Sequence, residues 1–333
     1  MSPIASRSVH DQSYEDCIFH IREFVLSDGT VLEDFDVAYR LHGNPKNPLI
    51  AVSGGVSSHR GITEYAGSYK PWWKELVGYD KALNTADYCI LGWDYLGNDG
   101  DTFGPKDGAW PDHCQVSTRD QARLLKAIID HIGYREVYAM VGASYGAMVN
   151  LAFGDCFPHL IQHLISISGA HKSHAMGYAY RYLQNELLDL SEHASLKELP
   201  GIQKRLAELS RGLAMTTYRT SNEFEERFSG RDEVIAYLNH HGREFASGRS
   251  LTSRRLLAKS ILTHDINVDP QRFKHSVIGF EQDTLVPPHL LSELACKTRG
   301  ELYLFDSPYG HDSFLKESVL LSRLFKTLLS ESL

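Results

Sequence analysis

The sequence predicts an α/β fold, in which helices cover both faces of a mostly parallel sheet. Three observations support this prediction. Short apolar runs such as "PLIAVSGG" and "YCILGWD" end at glycine or aspartate, as buried parallel strands do. Segments with helical spacing alternate with these runs along the chain. The length of 333 residues, 42% of them hydrophobic, is sufficient for one large domain or two modest ones.

The first half of the chain begins with strands and then alternates between strand and helix. "CIFHIREFVL" and "FDVAYRLHG" alternate apolar and polar residues, and "SDGT" between them is typical of a turn. After the two buried runs, apolar residues between Ser117 and His131 recur at helical spacing behind a serine or threonine start. "EVYAMVGAS" and "HLISISGA" are the next two predicted strands.

The second half contains a block of different character. From residue 171 to residue 265 charge rises, β-branched runs vanish and the pattern predicts helices. Strands return with "HSVIGF" and "ELYLFDS", and residues 312–333 predict an amphipathic closing helix. We therefore assign residues 1–170 and 266–333 to the core and residues 171–265 to a helical lid insertion.

Composition excludes several classes of function. A formal charge of −8 gives no reason to expect nucleic acid or an anionic membrane as partner. The histidines lack a zinc-binding spacing, so we expect no metal. The N-terminus lacks the apolar core of a signal peptide, and no run of 18 apolar residues occurs. The five cysteines are scattered and never form a C-x-x-C pair, which favours a reducing, cytoplasmic location.

The most informative motif is "GASYG", a G-x-S-x-G sequence with Ser144 at its centre. It follows a predicted strand and precedes a predicted helix, which is the context that a nucleophilic serine of the α/β-hydrolase fold requires. A serine on so tight a turn adopts a strained backbone, and glycine at 142 and 146 removes the clashes that side chains would make there. The motif predicts Ser144 as the nucleophile.

A nucleophilic serine needs a base, and the base needs an orienting carboxylate. In this fold the chain order is serine, acid, histidine. Asp283 follows the strand "HSVIGF", and His311 lies in the loop between the last strand and the last helix. We predict these two residues as the acid and the base. Asp306 is an alternative acid, and sixteen other histidines are present.

An oxyanion hole requires two N–H donors. We expect one from the backbone of Tyr145, directly after the nucleophile. The other should come from the loop after "PLIAV", where Gly55 and Val56 are the candidates. A plain glycine turn is the alternative interpretation of that loop.

The sequence resembles the homoserine O-acyltransferase family of α/β-hydrolase-fold enzymes from about residue 50 to its C-terminus. The segments that carry the resemblance are "WWKELVGYDKALNTADYCILGWDYLG", "GASYGAM", "ISISGAHKSH", "YRYLQNELL", "RGLAMTTYRTSNEFEERF" and "YGHDSFL". Two features depart from the family. Its usual G-S-T-G-P stretch is replaced by the longer "GNDGDTFGP", and the chain is shorter than many members.

The resemblance implies roles for further residues. Asp312 matches the aspartate that binds the amino group of the acceptor, whereas Arg211 and Tyr218 match the lid arginine and the lid tyrosine. Opposite charges of this kind suit a zwitterionic amino acid, although a surface ion pair is the alternative. Arg181 coincides with an arginine of succinyl-using members, where it would bind the free carboxylate of the acyl group. A solvated helix face is the alternative for Arg181.

The resemblance therefore implies an acyl-CoA-dependent O-acyltransferase that acylates L-homoserine in methionine biosynthesis. Succinyl-CoA is favoured over acetyl-CoA as co-substrate, no cofactor is expected to be bound, and a homodimer would form through the lid. A serine acyltransferase, an esterase or thioesterase and a non-catalytic binding module are the alternatives. The phosphates of CoA need basic residues, and the sequence leaves five candidates unranked: His59, Arg60, Arg254, Arg255 and Lys259.

Overall fold

The computed structural model describes most of the chain: residues 4–9, 12–63, 70–98, 100–102, 104, 110–111, 114–191, 199–247, 251–268 and 272–330. Within these residues the strands are Ile4–Val9 (β1), Gln12–Val25 (β2), Val31–His42 (β3), Leu49–Ser53 (β4), Val77–Gly78 (β5), Leu83–Asn84 (β6), Cys89–Trp93 (β7), Val137–Ala143 (β8), Ile161–Ile167 (β9), Lys274–Phe280 (β10) and Glu301–Phe305 (β11).

The α-helices of the described residues are Thr118–His131 (α1), Tyr145–Cys156 (α2), Ala175–Ser191 (α3), Pro200–Tyr218 (α4), Ser221–Arg227 (α5), Arg231–Ser247 (α6), Leu251–Leu262 (α7), Pro288–Thr298 (α8), Ser313–Lys316 (α9) and Ser318–Ser330 (α10). None of these helices is long and apolar enough to cross a membrane.

A single large sheet organises the described part of the chain. Its strands lie in the order β1-β2-β3-β7-β4-β8-β9-β10-β11. The first three neighbouring pairs are antiparallel, and the other five, from β7–β4 onward, are parallel. The prediction of a mostly parallel sheet is confirmed. Because β4, β8, β9 and β10 are parallel neighbours, their carboxyl ends meet at one edge, where ligands bind in open α/β sheets.

The sheet is covered on both faces, as predicted. Along β4, Leu49 and Ala51 belong to one apolar cluster, which includes residues of α1, α2 and α8. Ile50 and Val52, which alternate with them, belong to a second cluster that includes residues of α10. Successive side chains of a strand point to opposite faces, so this alternation places a helical layer on each side.

The predicted helix boundaries agree with the structure in one place and differ in another. Ser117 caps α1, and its hydroxyl accepts a hydrogen bond from the backbone N–H of Asp120. The single closing helix predicted over residues 312–333 is wrong, because α9 ends at Lys316 and α10 begins at Ser318. The intervening Glu317 leaves helical geometry and accepts a hydrogen bond at 2.8 Å from the Ser307 hydroxyl.

A helical segment, α3 to α7, connects β9 to β10. Its two ends pair with each other. Lys172 and Asp265 form an antiparallel bridge, and Ile266 N–H donates to His171 O at 3.0 Å. Within residues 175–191, 199–247 and 251–262 the segment contains helices and no strand.

Candidate active site

Ser144 occupies a sharp turn between β8 and α2. Its backbone has φ of 54° and ψ of −116°, a positive φ that non-glycine residues rarely adopt. A Cβ on Gly146 would lie 2.1 Å from Ser53 O, and a Cβ on Gly142 would lie 2.6 Å from Gly146 O. Both glycines are therefore required by close backbone approach, which is the reason the motif predicts for them.

His311 and Asp283 complete a hydrogen-bonded chain with Ser144. His311 Nε2 lies 2.8 Å from Ser144 Oγ, and His311 Nδ1 lies 2.8 Å from Asp283 Oδ2. The other carboxylate oxygen, Asp283 Oδ1, accepts hydrogen bonds at 2.9 Å from the backbone N–H groups of Leu285 and Val286. Asp283 and His311 are buried. This arrangement can transfer the serine proton to the imidazole.

The alternative acid does not face the histidine. Asp306 is exposed, and its carboxylate accepts a hydrogen bond from the side-chain amide of Gln282. Of the two acids that the sequence offers, Asp283 is the one that contacts His311. Within the described residues, His311 is also the histidine that contacts Ser144.

The loop after β4 is held against the turn that carries Ser144. Gly54 O accepts a hydrogen bond at 2.8 Å from Gly146 N–H and a second at 2.7 Å from the Tyr95 hydroxyl. The next two residues, Gly55 and Val56, line the same cavity as Ser144. Tyr145 occupies the first position of α2, where backbone N–H groups have no partner within the helix. The predicted oxyanion-hole residues therefore lie together around Ser144, and their role stays a prediction.

Buried charges fix the far end of this loop. The backbone N–H of Arg60 donates to Asp94 Oδ1 at 2.8 Å, and Arg60 Nη1 donates to Asp94 Oδ2 at 2.6 Å. Arg60 also binds Asp101 and Asp16. Burial lowers the pKa of Arg60, but the three carboxylates outweigh burial and raise it above its ordinary value. Arg60 therefore stays charged and ties the loop to the neighbouring strand end.

This network gives the altered stretch "GNDGDTFGP" a physical role. Gly100 lies so close to Asp94 that a Cβ there would be 2.4 Å from Asp94 Oδ2, and Asp101 N–H donates to that oxygen at 3.0 Å. Residues 99, 103 and 105 of the stretch lie outside the described residues. The described part of the stretch packs on the aspartate that also binds Arg60.

Ser144 opens into a cavity of about 230 Å³. Its wall is mainly apolar but also carries charged and polar side chains, among them all of the substrate-binding and acyl-specificity residues predicted from the sequence. The wall includes Arg181, Arg211, Tyr218, His311 and Asp312.

The two predicted arginines lie close to Tyr218. The guanidinium carbons of Arg181 and Arg211 lie 5.8 Å and 5.7 Å from the centroid of the Tyr218 ring. Burial would raise the pKa of Tyr218, but the positive charges of the two arginines outweigh burial and hold it below its ordinary value. The Tyr218 ring also lies 5.8 Å from the His311 ring, centroid to centroid. The tyrosine therefore connects the cationic wall to the histidine.

Asp312 has a cationic neighbour that the sequence did not predict. Arg219 Nε lies 2.8 Å from Asp312 Oδ2, an ion pair that lacks the angle of a good hydrogen bond. Arg219 Nη1 also lies 3.2 Å from Glu223 Oε1. Arg219 follows Tyr218 directly, and its charge within the matched lid segment was the available signal.

Other polar residues of the site were also missed. Gln184 lines a cavity next to that of Ser144. Ser168, directly after β9, has φ of 47° and a buried hydroxyl that has no partner among the described residues. Single serines and glutamines carry no pattern in the sequence, so nothing there could have indicated them.

The five candidate CoA-phosphate residues are in different environments. Arg60 is buried among carboxylates, and Arg254 is buried with its guanidinium 4.2 Å from the centroid of the Phe245 ring. Lys259 Nζ lies 3.2 Å from Asp189 Oδ1. His59 and Arg255 are partly buried. Arg60 is the candidate least available to a phosphate, because three carboxylates surround it.

One group of described side chains could hold a metal ion, namely His240, His241 and Glu244 on α6. None of the three lines the cavities that contain Ser144.

The sheet topology, the strained serine after β8 and the Ser144–His311–Asp283 chain together define a protein of the α/β-hydrolase class. The model of the alpha/beta hydrolase fold family matches residues 41–318. The homoserine O-succinyltransferase of Xanthomonas campestris pv. campestris is 33% identical over 303 residues, which cover 87% of this chain and 78% of that protein. The serine O-succinyltransferase of Emericella nidulans is 30% identical over 76% of this chain and 54% of its own length. The chain belongs to the homoserine O-acyltransferase family.

Solved structures agree with this fold. Esterase E22 superposes with a TM-score of 0.84 at 17% identity, covering 95% of this chain and 100% of the esterase. The homoserine O-acetyltransferase of Staphylococcus aureus has a TM-score of 0.80 at 22% identity, covering 95% of both chains. These likenesses show the fold, which esterases and acyltransferases share.

Proposed function

We propose that this chain transfers the acyl group of an acyl-CoA, with succinyl-CoA as the favoured donor, to the side-chain hydroxyl of L-homoserine. One observation carries the proposal. A serine–histidine–aspartate chain opens into a cavity whose wall contains two arginines and an aspartate. The first relative, a homoserine O-succinyltransferase, covers most of this chain and supports the same reaction.

The proposed reaction has two half-reactions. Ser144 Oγ attacks the thioester carbonyl while its proton passes to His311 Nε2, and the carbon–sulfur bond breaks as CoA leaves with a proton from His311. The acyl-serine remains. His311 then removes the proton of the acceptor hydroxyl, whose oxygen attacks the acyl carbon. The bond from that carbon to Ser144 Oγ breaks, and His311 returns the proton to Oγ. Asp283 keeps the imidazole oriented and stabilises its charged form in both steps.

The charge around the cavity supports a dicarboxylic acyl donor. A succinyl ester and an amino acid acceptor bring two carboxylates to the site, whereas an acetyl ester and the same acceptor bring one. The wall offers two guanidiniums, Arg181 and Arg211, at 5.8 Å and 5.7 Å from the centroid of the Tyr218 ring. We assign Arg181 to the acyl carboxylate and Arg211 to the acceptor carboxylate.

Asp312 is proposed to hold the ammonium group of the acceptor. Its side chain is 14% exposed and lines the same cavity as Ser144. Arg219 already neutralises part of its charge, so a substrate ammonium would be a second cation on one carboxylate. We expect Asp312→Asn to raise the KM for the acceptor while leaving the rate of Ser144 acylation within about threefold of the wild type.

Residues 171–265 are proposed to act as a lid. The pairing of Lys172 with Asp265 is what the base of an insertion requires. Helices over the site would keep water from the acyl-serine, which a transferase must do. Large apolar side chains exposed on α3, on α4 and directly before α4 support the predicted homodimer through this surface: Leu183, Leu190, Leu199, Ile202 and Leu209. A cytoplasmic location and a role in methionine biosynthesis stay predictions.

A serine acceptor is the second candidate. The relative from Emericella nidulans is named a serine O-succinyltransferase, although this chain spans only about half its length. Serine and homoserine differ by one methylene, which is worth only about 10- to 200-fold in discrimination. The two acceptors therefore have to be compared directly.

The test measures CoA release from succinyl-CoA and from acetyl-CoA, with homoserine, with serine and without acceptor. Mass spectrometry identifies the products. Release that depends on homoserine and yields O-succinylhomoserine is the expected result. Release at the same rate without acceptor would replace the proposal with a thioesterase, and a higher kcat/KM for serine would change the acceptor.

A further inference from the structure

A second cavity, of about 70 Å³, adjoins the one that contains Ser144. We name it the arginine pocket, because Arg181, Arg211, Arg254 and Gln184 lie in its wall. Arg181 and Arg211 line both cavities, so the pocket begins where the cavity of Ser144 ends.

Two of these guanidiniums lack an anionic partner in the described part of the chain. Arg181 is 9% exposed, and its Nη1 donates to the neutral Gln184 Oε1 at 3.1 Å. Arg211 contacts the rings of Tyr218 and Phe245, each with its centroid 5.7 Å away. Neither arginine forms an ion pair within the described residues. Buried charges are normally paired, so a pocket of this kind is suited to an anionic ligand.

Gln184 adds a second and independent observation. Gln184 is 5% exposed. Its Oε1 atom accepts a hydrogen bond from Arg181, so the other end of the amide must be the Nε2 group. The Nε2 group has no hydrogen-bond partner among the described residues. A buried amide donor without a partner is unusual in a folded protein, and its surroundings in the pocket are cationic. A carboxylate bound by Arg181 would satisfy this donor as well.

We propose that Gln184 is a specificity-determining residue of the arginine pocket: its Nε2 group donates a hydrogen bond to the distal carboxylate of a short dicarboxylic acyl group carried by Ser144, the same carboxylate that is assigned to Arg181. This inference rests on the proposed function and names the part of the protein that selects the donor. Asp312 lines the cavity of Ser144 but not the arginine pocket, so the ammonium of an amino acid would find no carboxylate there. The acceptor therefore belongs near Asp312, and the acyl carboxylate belongs in the pocket.

The experiment measures the rate of acyl-enzyme formation without acceptor. Succinyl-CoA or acetyl-CoA is mixed with the protein, the reaction is quenched rapidly, and the acylated fraction is read by intact mass. For Gln184→Leu we expect acylation by succinyl-CoA to fall about 10- to 100-fold, the range for a lost hydrogen bond to a charged group. Acylation by acetyl-CoA should stay within about threefold. Gln184→Glu should be worse for succinyl-CoA, because it places a carboxylate beside Arg181.

Gln203→Leu is the matched control. Gln203 is also a glutamine of the helical segment, but its Nε2 already donates to Ser191 O at 2.8 Å. A loss of helix packing alone would affect this variant as well. We expect it to be acylated by both thioesters at wild-type rates.

Several results would overturn the inference. In Gln184→Leu, the rate of acylation could fall equally with both thioesters, or it could fall with neither. A change confined to the KM for homoserine would be a third such result. Gln184→Leu could lose acylation by succinyl-CoA alone while the wild-type protein transfers no acyl group to homoserine. That result would support the role of Gln184 and refute homoserine as the acceptor. If neither thioester acylates the wild-type protein, the inference and the proposed function both fail.

Discussion

Asp283 binds His311 and the backbone at the same time. Its Oδ2 lies 2.8 Å from His311 Nδ1, while its Oδ1 accepts two N–H groups from the start of the following loop. A carboxylate held at both oxygens cannot rotate freely, so the imidazole it contacts is held in one orientation toward Ser144. In the proposed mechanism this orientation decides which ring nitrogen is free to take the serine proton.

Asp283→Asn should therefore slow acylation of Ser144 severely without unfolding the protein. We expect a loss of about 10³- to 10⁴-fold, because the amide favours the wrong tautomer of His311. Burst kinetics of CoA release measure the loss, and circular dichroism checks the fold. Asp306→Asn is the control, because Asp306 is exposed and does not contact His311. A large loss in Asp306→Asn with none in Asp283→Asn would refute the assigned acid.

Gly146→Ala should both lower the free energy of unfolding and move Ser144 out of its position. The added Cβ would lie 2.1 Å from the backbone oxygen of Ser53, which cannot move without shifting β4. We expect a loss of about 1–3 kcal/mol in the free energy of unfolding, measured in urea, and slower acylation. Gly212→Ala is the control within α4, where nothing lies within 4 Å of the added carbon. It should gain about 0.5–1 kcal/mol, and equal losses in both variants would contradict the steric argument.

Asp94→Asn should lower the free energy of unfolding and should also slow acylation, because the loop that carries Gly55 would be held less firmly. The substitution removes one of the carboxylates around buried Arg60. We expect about 3 kcal/mol of destabilisation, the low end for breaking a buried ion pair, because Asp16 and Asp101 remain. Asp130→Asn breaks an exposed pair with Lys126, where the aspartate side chain is 58% exposed, and should cost less than about 1 kcal/mol. Normal acylation by a folded Asp94→Asn protein would show that the network does not position the loop.

Stability should fall as the pH drops below about 6.5. Burial lowers the pKa of His42 and His275 to about 3 and that of His264 to about 4. Below pH 6.5 the unfolded chain binds protons that these native histidines do not. Their contribution is therefore complete above pH 6.5 and is lost as the pH falls toward 4.

Each such histidine should contribute up to about 1.4 kcal/mol per pH unit in that range. Urea unfolding at several pH values between 7.5 and 5 measures the slope. His275→Gln can retain a hydrogen bond to Ser166 or Thr298. It should reduce the slope of the free energy of unfolding against pH by the contribution of one histidine. A free energy of unfolding that stays constant from pH 7 to pH 5 would contradict the prediction.

Much of the site could be predicted because its signals are local. The turn at Ser144 needs glycine at two nearby positions, and the buried strands are continuous apolar runs. Contacts between distant segments could not be predicted in this way. The choice of Asp283 over Asp306 depends on where two strand ends lead, and the ion pair of Arg219 with Asp312 joins residues 93 positions apart.

The sequence by itself predicted most of the strands and helices, the strained serine, the histidine that follows it and two candidate acids. These features follow from short-range rules of burial, backbone sterics and chain order. The tertiary structure alone decided which charges meet. Three carboxylates from two distant segments surround Arg60. Arg181 and Arg211 pair with no carboxylate of the described residues, and they line the same pocket as Gln184, whose Nε2 group has no partner among those residues. Charge pairing depends on distances across the fold, which a pattern along the chain does not contain.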